Sequence, residues 1–167
     1  GEGAFGTAYL AEQLGTDRQA VVKIAHAHLM QGPVKREIQA RYEAEVRAAS
    51  RVQHPALCTF YTAGTTSDGL PAMATEFIRG ETLGAFLLSG PPRDVVQQLF
   101  RQLGEGVVAL HANGIVHRDL SPENVMVDRS GDALRVKIID FGIAKLTTQP
   151  SSGQHPLGTP RYMAPEQ

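Results

Sequence analysis

Apolar and polar residues alternate through AVVKIA (20–25). This puts Val21, Lys23 and Ala25 on one face and Val22 and Ile24 on the other, the period of a β-strand. Strands are predicted over 7–12 and 19–25, joined across the turn-forming residues of LGTDRQ as a hairpin. After Gly32-Pro33 the period changes. Val34, Ile38, Tyr42, Val46, Ala49 and Val52 recur at spacings of three and four, one face of a helix that stops before His54-Pro55. Two more strands are predicted at 58–64 and 70–77, with a turn at Asp68-Gly69, and Gly80 is the first break after them. A second helix is predicted over 93–112 from Val96, Leu99, Leu103, Val107 and Leu110, ended by Asn113-Gly114 and weakened somewhat by Gly104 and Gly106. Short strands are expected at 115–117, 124–127 and 135–139. The first half is therefore strand-rich, and the second is helical with a small hairpin sheet. That pattern predicts two lobes hinged near 76–80, with the division placed at 1–78 and 79–167.

Composition changes this picture little. The 167 residues are 42% hydrophobic and 20% charged, an ordinary globular balance, and suffice for one domain with a sizeable core. A formal net charge of −1 gives no electrostatic footprint for nucleic acid or an anionic membrane. The single Cys58 excludes an internal disulfide framework and fits a reducing compartment. No apolar run is long enough to span a bilayer, and no signal peptide is visible. The chain opens inside a glycine motif and closes on APEQ, so it is expected to be a fragment of a longer protein.

GEGAFG (1–6) has the spacing G-x-G-x-x-G. Glycines let backbone N–H groups approach phosphates closely. A dinucleotide-binding turn uses the same spelling but opens a helix, whereas Thr7–Glu12 reads as strand. A plain glycine turn remains the competing reading. Lys23 in mid-strand could equally be a solvated edge lysine. Glu45 lies close to the apolar stripe of the first helix, three residues from Tyr42 and four from Ala49, where a carboxylate needs a cation or water. Glu43 points further round the helix. A Lys23–Glu45 pair would hold the amine against nucleotide phosphates.

HRDLSPEN (117–124) and IIDFG (138–142) give these features a common sense. With the glycine loop, the strand lysine and APE (164–166), the chain resembles the eukaryotic-like protein serine/threonine kinase catalytic domain along its whole length. HPALCTFYTAG and DFGIAK look more like bacterial members. The implied fold is α+β and two-lobed, with an antiparallel-sheet N-lobe carrying one helix and a mainly helical, incomplete C-lobe. The implied reaction moves the γ-phosphoryl group of ATP to Ser or Thr hydroxyls of proteins, with Mg²⁺ as cofactor.

Residue by residue, the resemblance implies that Asp119 is the catalytic base and that Asn124 and Asp140 hold Mg²⁺. Lys23, steadied by Glu45, would pair the phosphates, and Gly1, Glu2, Gly3, Ala4, Phe5 and Gly6 would cover them. Thr75 matches the gatekeeper. The backbone of Glu76 and Ile78 matches the hinge that takes adenine, and Met126 matches the pocket floor. Ala8 and Val21 would cover the adenine ring. Thr159, in GTPRYMAPE (158–166), would brace the catalytic aspartate. His117 and Phe141 match packing residues rather than reactants. Thr147, Thr148, Ser151 and Ser152 lie in the stretch where phosphorylation would pair with Arg118, although a plain polar loop is the simpler view of each.

Three departures stand out. Ser121 occupies the position where most serine/threonine kinases carry a lysine that contacts the transferred phosphate, so one positive charge is missing from the catalytic set. Ala8 and Val21 exchange the family's usual Val and Ala, which is expected to conserve volume above the adenine. The family's strand before Gly1 and the helices after APE are absent, among them the partner of Glu166, so the isolated 1–167 chain is expected to be unstable or aggregation-prone.

The implied partners are proteins with Ser/Thr acceptors and, for autophosphorylation, a second copy of the chain; no nucleic acid is expected. The implied location is the cytoplasm, either free or as the cytoplasmic domain of a membrane-anchored kinase. A pseudokinase or ATP-binding scaffold is the first alternative, which Ser121 mildly favours. A small-molecule phosphotransferase is the second; such enzymes typically lack both the Arg of HRD and the GTPxYxAPE segment.

Overall fold

The computed structural model describes residues 1–3, 6–30, 39, 42–43, 46–47, 49–117, 119–140 and 160–162. They form two compact units that do not divide at a single point of the sequence. The first is Gly1–Arg51 with Thr59–Phe77; the second is Val52–Cys58 with Ile78–Gln167.

The first unit is built on a five-stranded antiparallel sheet, order β1-β2-β3-β5-β4. Its strands are β1 (Glu2–Gly3), β2 (Gly6–Glu12), β3 (Gln19–Ala25), β4 (Phe60–Thr65) and β5 (Pro71–Glu76). The two predicted turns form as their residues dictate. In the first, Gln13 N–H donates to Arg18 O at 2.9 Å and Gly15 takes a φ of 78°. In the second, Gly69 takes 79° and Thr66 N–H donates to Leu70 O at 2.9 Å. Both glycines sit where a side chain would be strained. A bulge at Phe60/Thr62 interrupts the β4–β5 register. Of the predicted helix over 34–52, Gln39, Tyr42, Glu43, Val46, Arg47 and Ala49 are helical; the rest of its first turns lies outside the described residues.

The second unit packs a helix on a three-stranded sheet. The sheet order is β6 (Gly80–Thr82), β7 (Val125–Asp128), β8 (Arg135–Ile138). Short helix α1 (Leu83–Leu88) follows β6, with the Thr82 hydroxyl accepting from Ala85 N–H at 3.2 Å as its cap. Helix α2 (Arg93–Ala112) buries Leu99, Gly106 and Leu110. The helix packs on β8, and Leu57, Val125, Val127, Val136 and Ile138 are fully buried in the same unit. Gly106 is required there: a Cβ would stand 2.9 Å from Ile138 Cδ1 and 3.1 Å from Ala56 Cβ. Close helix–sheet approach offsets the propensity that glycine costs. Gln102 ties α2 to β8, donating to Leu134 O at 3.2 Å and accepting from Val136 N–H at 2.8 Å.

Two expectations are corrected. Residues 115–117 form no strand. The chain leaves α2 through Gly114 at φ 70°, Ile115 N–H donates back to Leu110 O, Val116 faces solvent, and the third strand of the sheet is β6 instead. Gly80 is not a break but a strand residue: a Cβ there would lie 1.9 Å from Val127 O, so β6 and β7 pair at this distance only because it is glycine. No helix among the described residues is long and apolar enough to cross a membrane.

Candidate active site

In the first unit, register decides which side chains share a face. Lys23 pairs with Ala8 on one side and Met73 on the other; Val21 pairs with Leu10 and Thr75. Directly paired residues and their i±2 neighbours point to the same face of a sheet. Ala8, Val21, Lys23 and Thr75 therefore lie on one face, brought together from three strands. Glu76 ends β5.

β1 and β2 pair as Glu2↔Thr7 and Gly3↔Gly6. Gly1 closes the ladder, exchanging backbone bonds with Ala8 at 2.7 and 2.8 Å. Gly6 has a structural duty beyond any phosphate: a Cβ would sit 2.2 Å from Ile24 O on β3. Gly1 has no such constraint, with nothing within 4 Å of a built Cβ. Ala4, Phe5, Glu45 and Thr159 lie outside the described residues, and so does the Lys23–Glu45 pair. A cavity of about 380 Å³ opens on the other face of this sheet, over Ala11, Ala20, Val22 and Ala74, with the Arg18 guanidinium 5.0 Å above the Tyr61 ring. It is thus on the side away from Lys23.

In the second unit, hydrogen bonds rather than a ladder place the motif residues. His117, only 4% exposed, accepts at Nδ1 from Asp119 N–H at 3.3 Å, which leaves Nε2 to donate to Ile139 O at 3.1 Å. The ring is then the neutral Nε2–H tautomer. It ties the residue before Asp140 to the backbone of Asp119. Asn124 makes the second tie. Its Nδ2 donates to Asp119 O at 2.8 Å and to Asp119 Oδ2 at 3.1 Å, while its carbonyl accepts from Ile139 N–H at 3.0 Å. Both backbone groups of Ile139 are thus engaged by residues of 117–124.

Pro122–Asn124 is a single 3-10 turn closed by Asn124 N–H to Ser121 O at 3.0 Å. Ser121 is 4% exposed and its side chain does not cap that turn. Asp140 follows β8 with φ 54°, a left-handed conformation that aspartate tolerates and that is typical of strained functional positions. Met126, in β7, lies between the fully buried Val125 and Val127 and therefore points to the opposite face from them. Pro160–Tyr162 forms a short 3-10 turn beside the undescribed Thr159.

The donor set suits a hard cation. With Nδ2 of Asn124 engaged, its Oδ1 and the Asp140 carboxylate are the oxygens that could serve a cation. Among the described residues no three His, Cys, Asp or Glu side chains converge as a closed cage. An amide and a carboxylate completed by phosphate oxygens match Mg²⁺, which usually keeps few protein ligands.

The whole chain, residues 1–167, matches the protein kinase domain family. The chain belongs to the protein kinase family. Among its curated relatives, the serine/threonine-protein kinases pkn2 and Pkn1 of Myxococcus xanthus are 36% and 37% identical over all of this chain. It spans only 20% and 24% of their lengths. Among solved structures, the PknI kinase domain of Mycobacterium tuberculosis superposes with a TM-score of 0.68 at 27% identity, over 90% of this chain and 59% of that one. Rad53 in complex with AMP-PNP gives 0.71 at 27% identity, over 86% and 36%. The kinase fold is thereby shown, and bacterial serine/threonine kinases are among its relatives.

Sequence reasoning missed α1 and β6, although Thr82 followed by Leu83, Phe86 and Leu87 is a cap with a helical stripe. It also assigned Glu76 through its backbone only. Its carboxylate accepts from Thr59 N–H at 2.6 Å, a contact across seventeen residues that no local pattern announces.

Proposed function

We propose that this chain carries the catalytic residues of a protein serine/threonine kinase that uses ATP and Mg²⁺. The observation that carries the reading is the bonded set of Asp119, Asn124, His117 and Ile139 immediately before Asp140, in a chain of the protein kinase family.

In this reading the Asp119 carboxylate takes the proton of a substrate Ser or Thr hydroxyl as its oxygen attacks the γ-phosphorus. The bond to the β-γ bridging oxygen breaks, and ADP leaves with that electron pair. Asn124, through Oδ1, and Asp140 would hold Mg²⁺, which neutralises phosphate charge. Lys23 pairs the phosphates, with Glu45 as its partner. The glycine loop covers them, and Ala8, Val21 and Thr75 face the adenine ring. The backbone of Glu76 and Ile78 meets the adenine edge. Thr159 steadies Asp119. Acceptors are protein Ser/Thr hydroxyls, a second copy of the chain included, and the supply of ATP makes the cytoplasm the place of action.

Ser121 supports a second reading, an ATP-binding module with little turnover. No ammonium stands at this position, and a buried hydroxyl cannot neutralise the transferred phosphate. Incubating the full-length protein with γ-labelled ATP, Mg²⁺ and a generic protein substrate, followed by phosphoamino-acid analysis, separates the two. Label on Ser or Thr that disappears with Asp119→Asn supports the kinase; label equal to that control sinks it.

A further inference from the structure

Thr59 and Glu76 are joined twice. Glu76 N–H donates to Thr59 O at 2.9 Å, and Thr59 N–H donates to Glu76 Oε1 at 2.6 Å. Thr59 precedes β4 and Glu76 ends β5. A backbone ladder would answer Thr59 N–H with a carbonyl; here a carboxylate answers it, in a short charge-assisted bond. The side chain therefore extends the strand pairing one residue past its natural end.

The chain on either side makes this bond informative. Before Thr59, the backbone runs along β8 in its own unit. Ile138 N–H donates to Ala56 O at 2.8 Å, Cys58 N–H to Ile138 O at 2.9 Å, and Lys137 Nζ to Leu57 O at 3.3 Å. The residues before Thr59 are thus tied within the second unit, and Thr59 itself is held to β5 through its carbonyl, which accepts from Glu76 N–H. After Glu76, Phe77 and Ile78 belong to no regular element. Ile78 is buried, the Arg79 carbonyl accepts from Arg129 N–H at 2.9 Å, and β6 begins at Gly80. Only two residues separate the Thr59 bond from the next tie.

We propose that the Glu76 carboxylate is a positioning group for the nucleotide. Held by Thr59 N–H, it fixes the peptide planes from Glu76 to Ile78, the ones that would meet the adenine edge. This rests on the kinase reading above. Without the bond, Glu76 keeps its backbone tie to Thr59 but loses one constraint on its rotation, so adenine binding must itself fix these peptide planes. Such a cost falls on ATP affinity and not on the phosphoryl-transfer step.

The test compares Glu76→Leu, which removes the acceptor, with Glu76→Gln, which keeps an Oε1 acceptor without charge, in the full-length protein. Glu76→Asp, one methylene too short, serves if the leucine variant does not fold. The expected result is a rise of about tenfold in KM for ATP with the Leu or Asp variant, since hydrogen bonds to charged groups carry effects of that order. Their kcat and KM for the protein substrate stay near wild type, and Glu76→Gln restores most of the ATP affinity. An unchanged KM for ATP in the Leu or Asp variant overturns the proposal. So does a fall in kcat and in affinity for both substrates that tracks a lowered Tm, which would mark a merely structural role. A wild type that binds no ATP overturns the kinase reading and this inference with it.

Discussion

The Lys23 face and the Asp119 loop hold their residues by different means. On the sheet, Ala8, Val21, Lys23 and Thr75 are placed by strand register, and each position is fixed by many backbone bonds that its own side chain does not make. In the loop, the side chains make the bonds. The His117 ring connects Asp119 to Ile139, the Asn124 side chain bonds Asp119 while its backbone carbonyl takes Ile139 N–H, and the described backbone between them has one 3-10 turn for support. The sheet should therefore tolerate a changed side chain and suffer from a changed backbone, whereas the loop should fail when one side chain is removed.

The comparison is tested hardest in the loop. Asp119→Asn should lower kcat by about 10²–10⁴, the usual worth of a general base, with ATP binding retained. Asn124→Ala removes both side-chain bonds to Asp119 and, in the proposed reading, a metal donor. It should reduce kcat by about 10² or more, as a misplaced catalytic group does. If steady-state kinetics of Asn124→Ala give a kcat within fivefold of wild type, the loop is not held by its side chains.

On the sheet the expected effects are smaller and of another kind. Gly6→Ala puts a Cβ against Ile24 O and should cost about 1–3 kcal/mol of stability, read as a lower Tm, while Gly1→Ala leaves Tm unchanged. Equal melts for both would remove the backbone argument. Val21→Ala should only raise KM for ATP, by about fivefold for the apolar area lost. Unchanged or tighter binding would refute the volume exchange between Ala8 and Val21.

The same contrast explains what could be read from the sequence. The strands of the first unit and α2 were legible because alternation and the three-four spacing report the burial that holds them. The turns at Gly15 and Gly69 were legible because φ is positive there. The Ile115–His117 segment was misread as strand: three residues are too few for periodicity, and His117 turns inward for a hydrogen bond instead of a ladder. β6 was hidden because Gly80 reads as a breaker until Val127 O is seen beside it. At the candidate site, Asp119, Asn124 and Asp140 were singled out only as members of a set of motifs. The ties through Ile139 and from Glu76 to Thr59 depend on which distant backbone arrives where, and local sequence does not carry that.

The most direct test of the phosphoryl-transfer centre is ATP binding and labelled-phosphate transfer, measured on the same preparations of the full-length protein and its Asp119→Asn variant. Both should bind ATP with Mg²⁺, and only the wild type should label Ser and Thr. Binding by both with equal labelling, or with none, would contradict Asp119 as the base.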